Sequence, residues 1–471
     1  MWLAILTAGL AVWVIGVGIV IVLQRRSATA TLAWLLALAF LPILGLVVYR
    51  LIGPLRLERK KFRRSASKRV VGEALAALAS LADNSVEHQQ LARLAIELGE
   101  ASPLRAGKVE IYLDGVSTYA AILAAVAAAK HHIHIEYYIW EPDQIGLQLR
   151  DALIERAKAG VEVRLIVDGT GSNKLTKKNF YRPLAEAGVQ VARFNPIRLR
   201  SLRLRRPDFR THRKIVVCDG NVGFTGGMNI TDFHSAALSK EYWRDTHVQV
   251  TGTAVWPLQR MFIEDWYFAA ETKKFPVKPE MFPSAEPPGE HLVQIVGSGP
   301  DSDAFAIHKM MFTAINQSTD RCWLTTPYFV PDEALLMAIT TAALRDVDVR
   351  LIVPKKGDSR LVDLAARSYF PELLAAGVRV YEYEARFIHA KTLVCDNDVA
   401  IIGTANLDNR SFRLNFEVAA FVLGPTANLT LGNAFLADLK DCTEITRSAF
   451  GKQPFGKRLG QASARLISPL L

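Results

Sequence analysis

Cysteine is scarce in this 471-residue sequence, and its spacing excludes a cysteine-based metal site. Only four cysteines occur, at positions 218, 322, 395 and 442, and none belongs to a CxxC pair or has the spacing of metal ligands. Two of them directly precede aspartates at the ends of apolar runs. The pattern favours buried free thiols in a reducing compartment.

Charge is absent from two long hydrophobic stretches near the N-terminus. Residues 1–23 and 30–48 contain no Asp, Glu, Lys or Arg, and each approaches the roughly 20 residues that span a bilayer. A signal peptide is the alternative for the first stretch, but it lacks a basic n-region and a second stretch follows. Two buried core helices are the other alternative, and they would normally carry a polar stripe. We therefore expect a transmembrane helical hairpin over residues 1–52.

Basic residues around this hairpin predict its orientation. Only Arg25 and Arg26 lie between the two stretches, whereas seven basic residues follow the second: Arg50, Arg56, Arg59, Lys60, Lys61, Arg63 and Arg64. The positive-inside rule places that cluster, and the chain after it, in the cytoplasm. The predicted location is the cytoplasmic membrane, with a multi-pass topology. The formal net charge of +11 suits an anionic membrane or a nucleic acid and does not choose between them.

The remainder of the chain reads as α/β, and it does so twice. An alanine-rich helix is expected over 117–130, before the strand "HIHIEYYIW". The strand "VEVRLIVDGTGS", which begins at Val161, returns as "VDVRLIVPKKGDS" at Val347, and five prolines between 271 and 290 mark a linker. This pattern predicts duplicated domains with mixed sheets flanked by helices. The expected divisions are a hairpin at 1–52, a basic juxtamembrane and helical linker at 53–100, a first domain at 101–275, a Pro-rich linker at 276–290 and a second domain at 291–471.

Both domains carry the same set of polar residues at the same offsets. The first set is His212, Lys214, Asp219, Gly226 and Asn229, and the second is His389, Lys391, Asp396, Gly403 and Asn406. Residues two apart on a strand face the same way, so each histidine shares a face with its lysine. An imidazole beside an ammonium suits the binding of a phosphate. Four matching offsets in two copies indicate one site built from two halves.

The repeated HxKxxxxD pattern resembles the signature of the phospholipase D superfamily. The flanking segments "VDGTGS", "TTPYFVPDE" and "GTANLDNRSFRLNFE", together with the N-terminal hairpin, look like those of bacterial cardiolipin synthases. The resemblance implies two phospholipase D-like domains related by a pseudo-twofold axis. It also implies transfer of a phosphatidyl group between two phosphatidylglycerols, with release of glycerol and with no metal or other cofactor. Thr211 departs from the usual asparagine, and Thr404 matches the second glycine of Gly226-Gly227.

These residue types fit attack on an anionic phosphodiester. A neutral imidazole can attack phosphorus, and a second, protonated histidine can deliver a proton to the leaving oxygen. Lys214, Lys391, Asn229 and Asn406 would surround the phosphoryl oxygens. The resemblance favours His212 as the nucleophile and His389 as the general acid and base, whereas the residues alone allow the reverse.

Supporting roles are expected for several neighbours. Asp245 and Glu417, each about one repeat element downstream of its motif, are the candidates to orient the histidines. Asp219 and Asp396 lie where strands end, and we expect them to bond nearby backbone or arginine. Gly226 and Gly227 would allow the backbone to pass close to the phosphate or would permit a tight turn.

Two further groups invite a functional interpretation. His132, His134 and Glu136 alternate on one strand face, but no matching cluster supports a metal site. Six arginines in residues 198–210 precede the first motif and favour contact with anionic lipid.

Other functions remain open at this stage. A nuclease of the same superfamily would be basic too, but the hairpin argues against it, so no nucleic-acid partner is expected. A membrane scaffold with a dead site is opposed by the two complete motifs. A hydrolase that uses water, or a transferase that uses another alcohol, shares the first half of the reaction. The expected partners are anionic phospholipids, namely phosphatidylglycerol and cardiolipin, and the sequence does not indicate an oligomeric state.

Overall fold

The computed structural model describes residues 2–24, 28–41, 43–45, 48–49, 89–177, 179–196, 208–270, 275–283, 289, 291–302, 304–451 and 453–468. The chain forms two compact units. One consists of Met1–Glu58 with Ile197–Phe209, and the other of Arg59–Pro196 with Arg210–Leu471.

The first unit contains two apolar helices, α1 (Trp2–Leu23) and α2 (Ala28–Phe40). Trp34 and Tyr49 meet edge to face, with ring centroids 5.2 Å apart. Counting only the residues that the structure describes in full, no helix is long and apolar enough to cross a membrane. The basic cluster at 50–64 and most of the arginine-rich segment, at 198–207, lie outside the described residues.

The second unit begins with a seven-stranded sheet built by the first half of the sequence. Its strand order is β2-β9-β8-β7-β3-β4-β5. The elements up to this sheet's last helix are α3 (Gln89–Glu97), β1 (Leu104–Ala106), β2 (Val109–Tyr112), α4 (Gly115–Ala128), β3 (His132–Tyr137), α5 (Gln144–Lys158), β4 (Glu162–Asp168), α6 (Tyr181–Glu186), β5 (Gln190–Phe194), β6 (Arg210–Thr211), β7 (Ile215–Cys218), β8 (Val222–Gly226), β9 (His247–Thr251) and α7 (Trp256–Ala269).

The second half builds a ten-stranded sheet, which β1 and β6 from the first half join at β10 and β18. Its main order is β1-β10-β18-β16-β15-β11-β13-β14-β19, and β12 pairs separately with β17. The elements are β10 (His291–Ser298), α8 (Ala306–Gln317), β11 (Arg321–Thr325), β12 (Phe329–Val330), α9 (Glu333–Leu344), β13 (Asp348–Pro354), α10 (Arg360–Arg367), α11 (Phe370–Ala376), β14 (Arg379–Tyr383), β15 (Thr392–Cys395), β16 (Val399–Gly403), β17 (Leu407–Asp408), α12 (Asn409–Arg413), β18 (Asn415–Leu423), α13 (Pro425–Asp438), β19 (Cys442–Ile445), α14 (Arg447–Gly451) and α15 (Phe455–Leu466).

The duplication expected from the sequence is confirmed strand by strand. The order β9-β8-β7-β3-β4-β5 of the first sheet corresponds to β18-β16-β15-β11-β13-β14 of the second. In each sheet three neighbouring strands are parallel, and the other strands of this order pair antiparallel with their neighbours. Each half is therefore the same mixed α/β domain.

Local capping moves one helix from its expected position. The alanine-rich helix begins at Gly115 rather than at residue 117, because the side chain of Asp114 accepts the Ser117 N–H at 2.9 Å. It ends at Ala128, two residues before the expected end. Asp143 and Asp332 cap α5 and α9 in the same way.

Three apolar clusters hold the second unit together. One lies on the outer face of the first sheet and one on the outer face of the second. The third joins residues of both halves, for example Val217 and Val248 with Ile295 and Ile402, and α7 and α13 contribute to it. Burial of this shared layer stabilises the pairing of the two halves.

In both sheets the motif histidine lies at the end of the sheet where the parallel strands have their carboxyl ends. β7 runs antiparallel to β3, and its first residue Ile215 pairs with Glu136 near the carboxyl end of β3. In the second half, Thr392 at the start of β15 pairs with Thr325 at the end of β11. The motif histidine precedes β7 or β15 in each half, so it lies at the carboxyl ends of the parallel strands. Ligand sites of open α/β sheets commonly occupy that edge.

Candidate active site

The backbone around each motif histidine is hydrogen-bonded to the other half of the sequence. The His212 N–H donates to the Phe416 carbonyl at 2.9 Å, and β6 just before it pairs with β18. Reciprocally, the His389 N–H donates to the Arg244 carbonyl at 2.7 Å. Such reciprocal contacts are what a twofold relation between two halves produces. The two motifs are thereby brought into one site.

The carboxylates that orient the histidines also cross between the halves. Nδ1 of His212 lies 3.0 Å from Oε2 of Glu417, and Nδ1 of His389 lies 2.7 Å from Oδ2 of Asp245. The structure therefore brings both predicted carboxylates to the histidines, each from the other half. Both carboxylates are fully buried.

Burial favours the neutral form of both imidazoles. It lowers the pKa of His212 to about 4, against the attraction of Glu417, and Lys214 lowers it further. Burial also lowers the pKa of His389 well below its ordinary value, and the charges of Lys391 and Lys214 act in the same direction. A neutral ring whose Nδ1 faces a carboxylate carries its proton there, which leaves Nε2 with a free lone pair.

The two motif lysines are buried beside the histidines. Nζ of Lys214 donates to the His212 carbonyl at 2.7 Å, and Nζ of Lys391 donates to the His389 carbonyl. Burial lowers the pKa of Lys214 to about 7 and that of Lys391 to about 8. Each carboxylate partly offsets this effect, and the site still concentrates positive charge that an anionic ligand would stabilise.

The two motif asparagines are also buried and hydrogen-bonded. The Ile139 N–H donates to Oδ1 of Asn229 at 3.3 Å, which orients that amide. The backbone N–H of Asn229 donates to Nε2 of His234 at 3.2 Å, and that of Asn406 donates to Oγ of Ser411 at 3.1 Å. Both asparagines are at least nine-tenths buried.

The two halves differ where Thr404 replaces the second glycine. The hydroxyl of Thr404 donates to Oε2 of Glu417, and Nδ2 of Asn415 donates to the other oxygen at 3.1 Å. At the equivalent Gly227, a Cβ would overlap the carboxylate of Asp245. Gly226 has a φ of +146°, and a Cβ there would lie 2.6 Å from Cα of His247. Gly227 is thus required by the close approach of the chain to Asp245, and Gly226 by its positive φ and its contact with His247.

The motif aspartates lie away from the histidines, at the opposite ends of β7 and β15. Asp219 accepts the backbone N–H groups of Lys130, His131 and His132. Asp396 accepts those of Thr319, Asp320 and Arg321, and its own carbonyl accepts Nε of Arg321. They fasten the start of β3 and β11 to the strand that carries each motif and do not reach the histidines.

Three buried residues have the donor types of a metal site: His234, Asp245 and His389. Nδ1 of His234 lies 3.6 Å from Oδ2 of Asp245. Because Nε2 of His234 accepts the Asn229 N–H, its proton is on Nδ1, and a protonated nitrogen is not a ligand. Nδ1 of His234 therefore faces Asp245 without a hydrogen bond between them.

The side chains of His132, His134 and Glu136 on β3 are hydrogen-bonded to other buried side chains. Both histidines bond the side chain of Gln259, at 3.0 and 3.2 Å, and Glu136 accepts the hydroxyl of Thr211. Burial raises the pKa of Glu136. This group braces the sheet beside the first motif.

Several neighbours of the site were not predicted from the sequence. Trp243 packs against His389, with ring centroids 5.5 Å apart, and also lies against His234. Tyr138 meets His212 edge to face, with ring centroids 4.9 Å apart. His234 and Ser411 each follow a motif asparagine by five residues, and that shared offset was the available signal.

Comparisons with known proteins agree with this site. A family description, "Cardiolipin synthase, PLD-like domain", matches residues 122–266 and 311–439, and another, "Phospholipase_D-nuclease N-terminal", matches residues 10–54. The cardiolipin synthase of Alkalihalophilus pseudofirmus is 40% identical over 97% of this chain and 92% of its own length. Cardiolipin synthase 1 of Bacillus anthracis is 39% identical over 98% of this chain and 93% of its own length.

A solved structure supports the fold independently. Phosphatidylserine synthase of Haemophilus influenzae aligns with a TM-score of 0.58 over 81% of this chain and 100% of that one, at 14% identity. By its duplicated motifs and by near full-length similarity, the chain belongs to the cardiolipin synthase family of the phospholipase D superfamily.

Proposed function

We propose that this protein is a cardiolipin synthase that transfers a phosphatidyl group from one phosphatidylglycerol to another and releases glycerol. The observation that carries the proposal is the pair of crossed histidine–carboxylate contacts beside two buried lysines. Similarity to proteins named cardiolipin synthase supplies the substrate class.

In the first half-reaction, Nε2 of His212 attacks phosphorus. A phosphorus–nitrogen bond forms and the bond from phosphorus to the glycerol oxygen breaks. His389 gives its proton to that oxygen, so glycerol leaves neutral. Glu417 stabilises the positive charge that develops on His212. Lys214 and Lys391, with the amides of Asn229 and Asn406, hold the phosphoryl oxygens.

In the second half-reaction, a hydroxyl of a second phosphatidylglycerol attacks the phosphohistidine. His389, neutral after the first step, removes the hydroxyl proton, with Asp245 stabilising the imidazolium. The new phosphorus–oxygen bond forms, the phosphorus–nitrogen bond breaks, and His212 returns neutral.

Substrate binding enables His389 to take up from solvent the proton that this scheme needs. Burial alone leaves both imidazoles neutral, whereas an acid must be protonated. A bound phosphodiester brings negative charge to the two lysines and to His389, which raises their pKa values. The site thus acquires its acid together with its substrate.

The acceptor alcohol defines the main alternative functions. Water would make the enzyme a phospholipase D-type hydrolase, and another alcohol would give another phospholipid. Purified protein should convert labelled phosphatidylglycerol to cardiolipin and glycerol in a 1:1 ratio, identified by mass spectrometry. Accumulation of phosphatidic acid instead would assign water as the acceptor.

The histidine assignment has its own test. His212→Ala should form no covalent phosphatidyl-enzyme, whereas His389→Ala should still form one from a substrate whose leaving group needs no proton. Adduct in His212→Ala, and none in His389→Ala, would reverse the two roles. Since lysines and asparagines neutralise the phosphoryl charge in this scheme, chelators should leave the rate unchanged.

We also propose the membrane arrangement that the sequence predicts. A hairpin over 1–52 would anchor the chain, with domains at 101–275 and 291–471 in the cytoplasm, joined through linkers at 53–100 and 276–290. The two uncharged apolar stretches at 1–23 and 30–48 support it. Reporter fusions after residue 64 should report the cytoplasmic side, and an external signal would overturn the orientation.

A further inference from the structure

The last helix, α15, presents an apolar stripe to solvent. Phe455, Leu459 and Leu466 have exposed fractions of 77%, 54% and 82%. Spacings of four and seven residues place these side chains on one side of the helix. The opposite side contains buried Gln461 and Ala464. An apolar stripe of this kind normally has a partner.

The stripe belongs to a helix that is fastened to the domain. The guanidinium of Arg465 lies 4.3 Å from the ring centroid of Tyr369, and it pairs with Glu372 at 3.2 Å. The Tyr369 hydroxyl bonds the hydroxyl of Ser468 at 3.2 Å. One face of α15 is thus fixed, which leaves the apolar stripe exposed in a defined orientation.

Neighbouring residues enlarge the stripe into a patch with a cationic border. Leu361 on α10, which packs against α15, and Ile467 are also exposed. We call the five exposed apolar residues the C-terminal patch: Leu361, Phe455, Leu459, Leu466 and Ile467. Arg458, three residues after Phe455, and Arg465, seven residues after Arg458, lie along one flank of the stripe.

The C-terminal patch lies at the same end of the second sheet as the candidate site, where the parallel strands have their carboxyl ends. α10 follows the carboxyl end of β13, which is parallel to β11, and it contacts β12. β12 in turn pairs with β17, which directly follows Asn406. The motif histidine His389 precedes β15 at this same edge.

We propose that the C-terminal patch docks on an anionic lipid surface and holds the site's entrance against it. An exposed apolar stripe with basic side chains along its flank is a feature that binds a helix in the plane of a membrane interface. The apolar stripe enters the headgroup boundary, and the flanking cations meet lipid phosphates. The inference deepens the proposed function, on which it rests for the lipid nature of the substrate.

Charge argues against a second copy of the chain as the occupant. Two copies meeting on this patch would bring Arg458 of each into the same interface. Like charges in one interface oppose association. An anionic surface has the complementary sign, and the formal net charge of +11 acts in the same direction.

Fluorescence in the full-length protein tests the docking without requiring turnover. A polarity-sensitive dye is attached to Leu459→Cys or Leu466→Cys in a Cys442→Ser background, since the other three cysteines are buried. Leu344→Cys is the matched control, because Leu344 is 71% exposed and ends α9 at the opposite sheet edge. In phosphatidylglycerol vesicles the dye at 459 or 466 should shift to the blue and be quenched by spin-labelled lipid, with no change at 344.

Two results would overturn the proposal. One is a dye at 459 and 466 that stays as insensitive to quenching lipid as the dye at 344. The other is a blue shift that appears without lipid and grows with protein concentration, which would assign the patch to a second copy. Quenching in a protein that makes no cardiolipin would leave docking standing and reject the proposed function alone.

Kinetics gives a second, independent measurement. Leu459→Glu combined with Leu466→Glu should lower the rate on long-chain phosphatidylglycerol vesicles by about tenfold or more, as expected for losing the burial of two leucines. The rate on monomeric short-chain substrate should be unchanged. Leu344→Glu serves as the control on both substrates. Equal loss on both substrates would indicate damage to the fold and overturn the docking role.

Discussion

A histidine attacks phosphorus only from a ring nitrogen that carries no proton, and the hydrogen bond at the other nitrogen decides which one that is. The carboxylates of Glu417 and Asp245 contact Nδ1 of His212 and of His389, so the unprotonated nitrogen is Nε2 in both rings. Their hydrogen-bond partners differ. Glu417 accepts from the Thr404 hydroxyl and the Asn415 amide, whereas Asp245 accepts the backbone N–H of Thr246 and lies near His234. The two histidines are therefore equivalent in position and not in surroundings.

Replacing each carboxylate by its amide should damage the histidine of the other half. Glu417→Gln should slow adduct formation on His212 by on the order of 10³–10⁴-fold, the size of the effect when the carboxylate of a catalytic triad becomes an amide. Asp245→Asn should slow proton transfer by His389, so with an activated substrate the adduct still forms. Single-turnover adduct assays of both variants measure this. Normal adduct formation in Glu417→Gln would contradict the crossed pairing.

The sequence could not predict that each carboxylate contacts the histidine of the other half. The offsets of the histidine, lysine and asparagine in two copies were enough to name the site, and Asp245 and Glu417 were recognised as partners. Which carboxylate serves which histidine depends on how β6 pairs with β18, a contact between residues 205 apart for His212 and Glu417. No local pattern encodes a contact of that range.

The stability of the fold and its affinity for substrate should respond to pH in opposite directions. The buried lysines, with pKa values of about 7 and 8 in the folded protein, lose protons that the lysines of an unfolded chain keep up to their ordinary pKa of 10.5. The unfolded state then binds more protons between these values, so stability rises with pH. The melting temperature should increase from pH 7 to pH 9, and less so in Lys214→Met. The exposed Lys174→Met is the matched control.

Substrate affinity should follow the reverse trend. A phosphodiester binds the protonated lysines, so binding takes up protons and weakens as pH rises above about 8. The KM for a soluble short-chain phosphatidylglycerol should therefore increase with pH while the free protein becomes more stable. Affinity that improves over this range would show that the lysines do not hold the phosphate.

At the scale of elements, the ends of β8 and β16 show how a repeat diverges. β8 ends at the pair Gly226-Gly227, and β16 ends at the pair Gly403-Thr404. In each pair the second residue lies beside a carboxylate. Gly227 leaves room for Asp245, whereas Thr404 fills the space and bonds Glu417. An aspartate is one methylene shorter than a glutamate, and the backbone approaches it more closely. Repeat strands were predictable from hydrophobic patterning, but this exchange of side-chain volume between halves was not.

Substitutions at this matched pair should have unequal effects. Gly227→Ala places a methyl group against the Asp245 carboxylate, displaces it from His389, and should lower kcat by about 100-fold. Thr404→Gly removes one of three donors to Glu417, which should cost about 1.5–3 kcal/mol of stability and less activity. Steady-state kinetics and thermal unfolding of both variants distinguish the two losses. A tolerant Gly227→Ala would show that Asp245 can move without consequence.

At the scale of the whole molecule, the two halves are obligate partners within one compact unit. The apolar layer between the sheets contains residues of both, and β1 and β6 from the first half extend the sheet of the second. Each histidine takes its backbone hydrogen bond and its carboxylate from the other half. A single half therefore has a motif but no oriented histidine, and duplication without this exchange would yield no site.

A single chain should accordingly contain one complete site, and defective chains should not rescue each other. Mixing full-length His212→Ala with full-length His389→Ala should give no activity, because every intramolecular site lacks one histidine. Activity would return only if halves of two chains exchanged, since a site formed between two chains could combine an intact His212 with an intact His389. Co-reconstituting the two variants in phosphatidylglycerol vesicles and measuring cardiolipin is the direct measurement. An equal mixture of wild type with the double variant His212→Ala and His389→Ala is the control. It should retain the rate expected from its wild-type content. Recovery of about a quarter of the wild-type rate in the mixture of single variants would contradict the one-chain site, because random exchange of halves places both intact motifs together in one pairing of four.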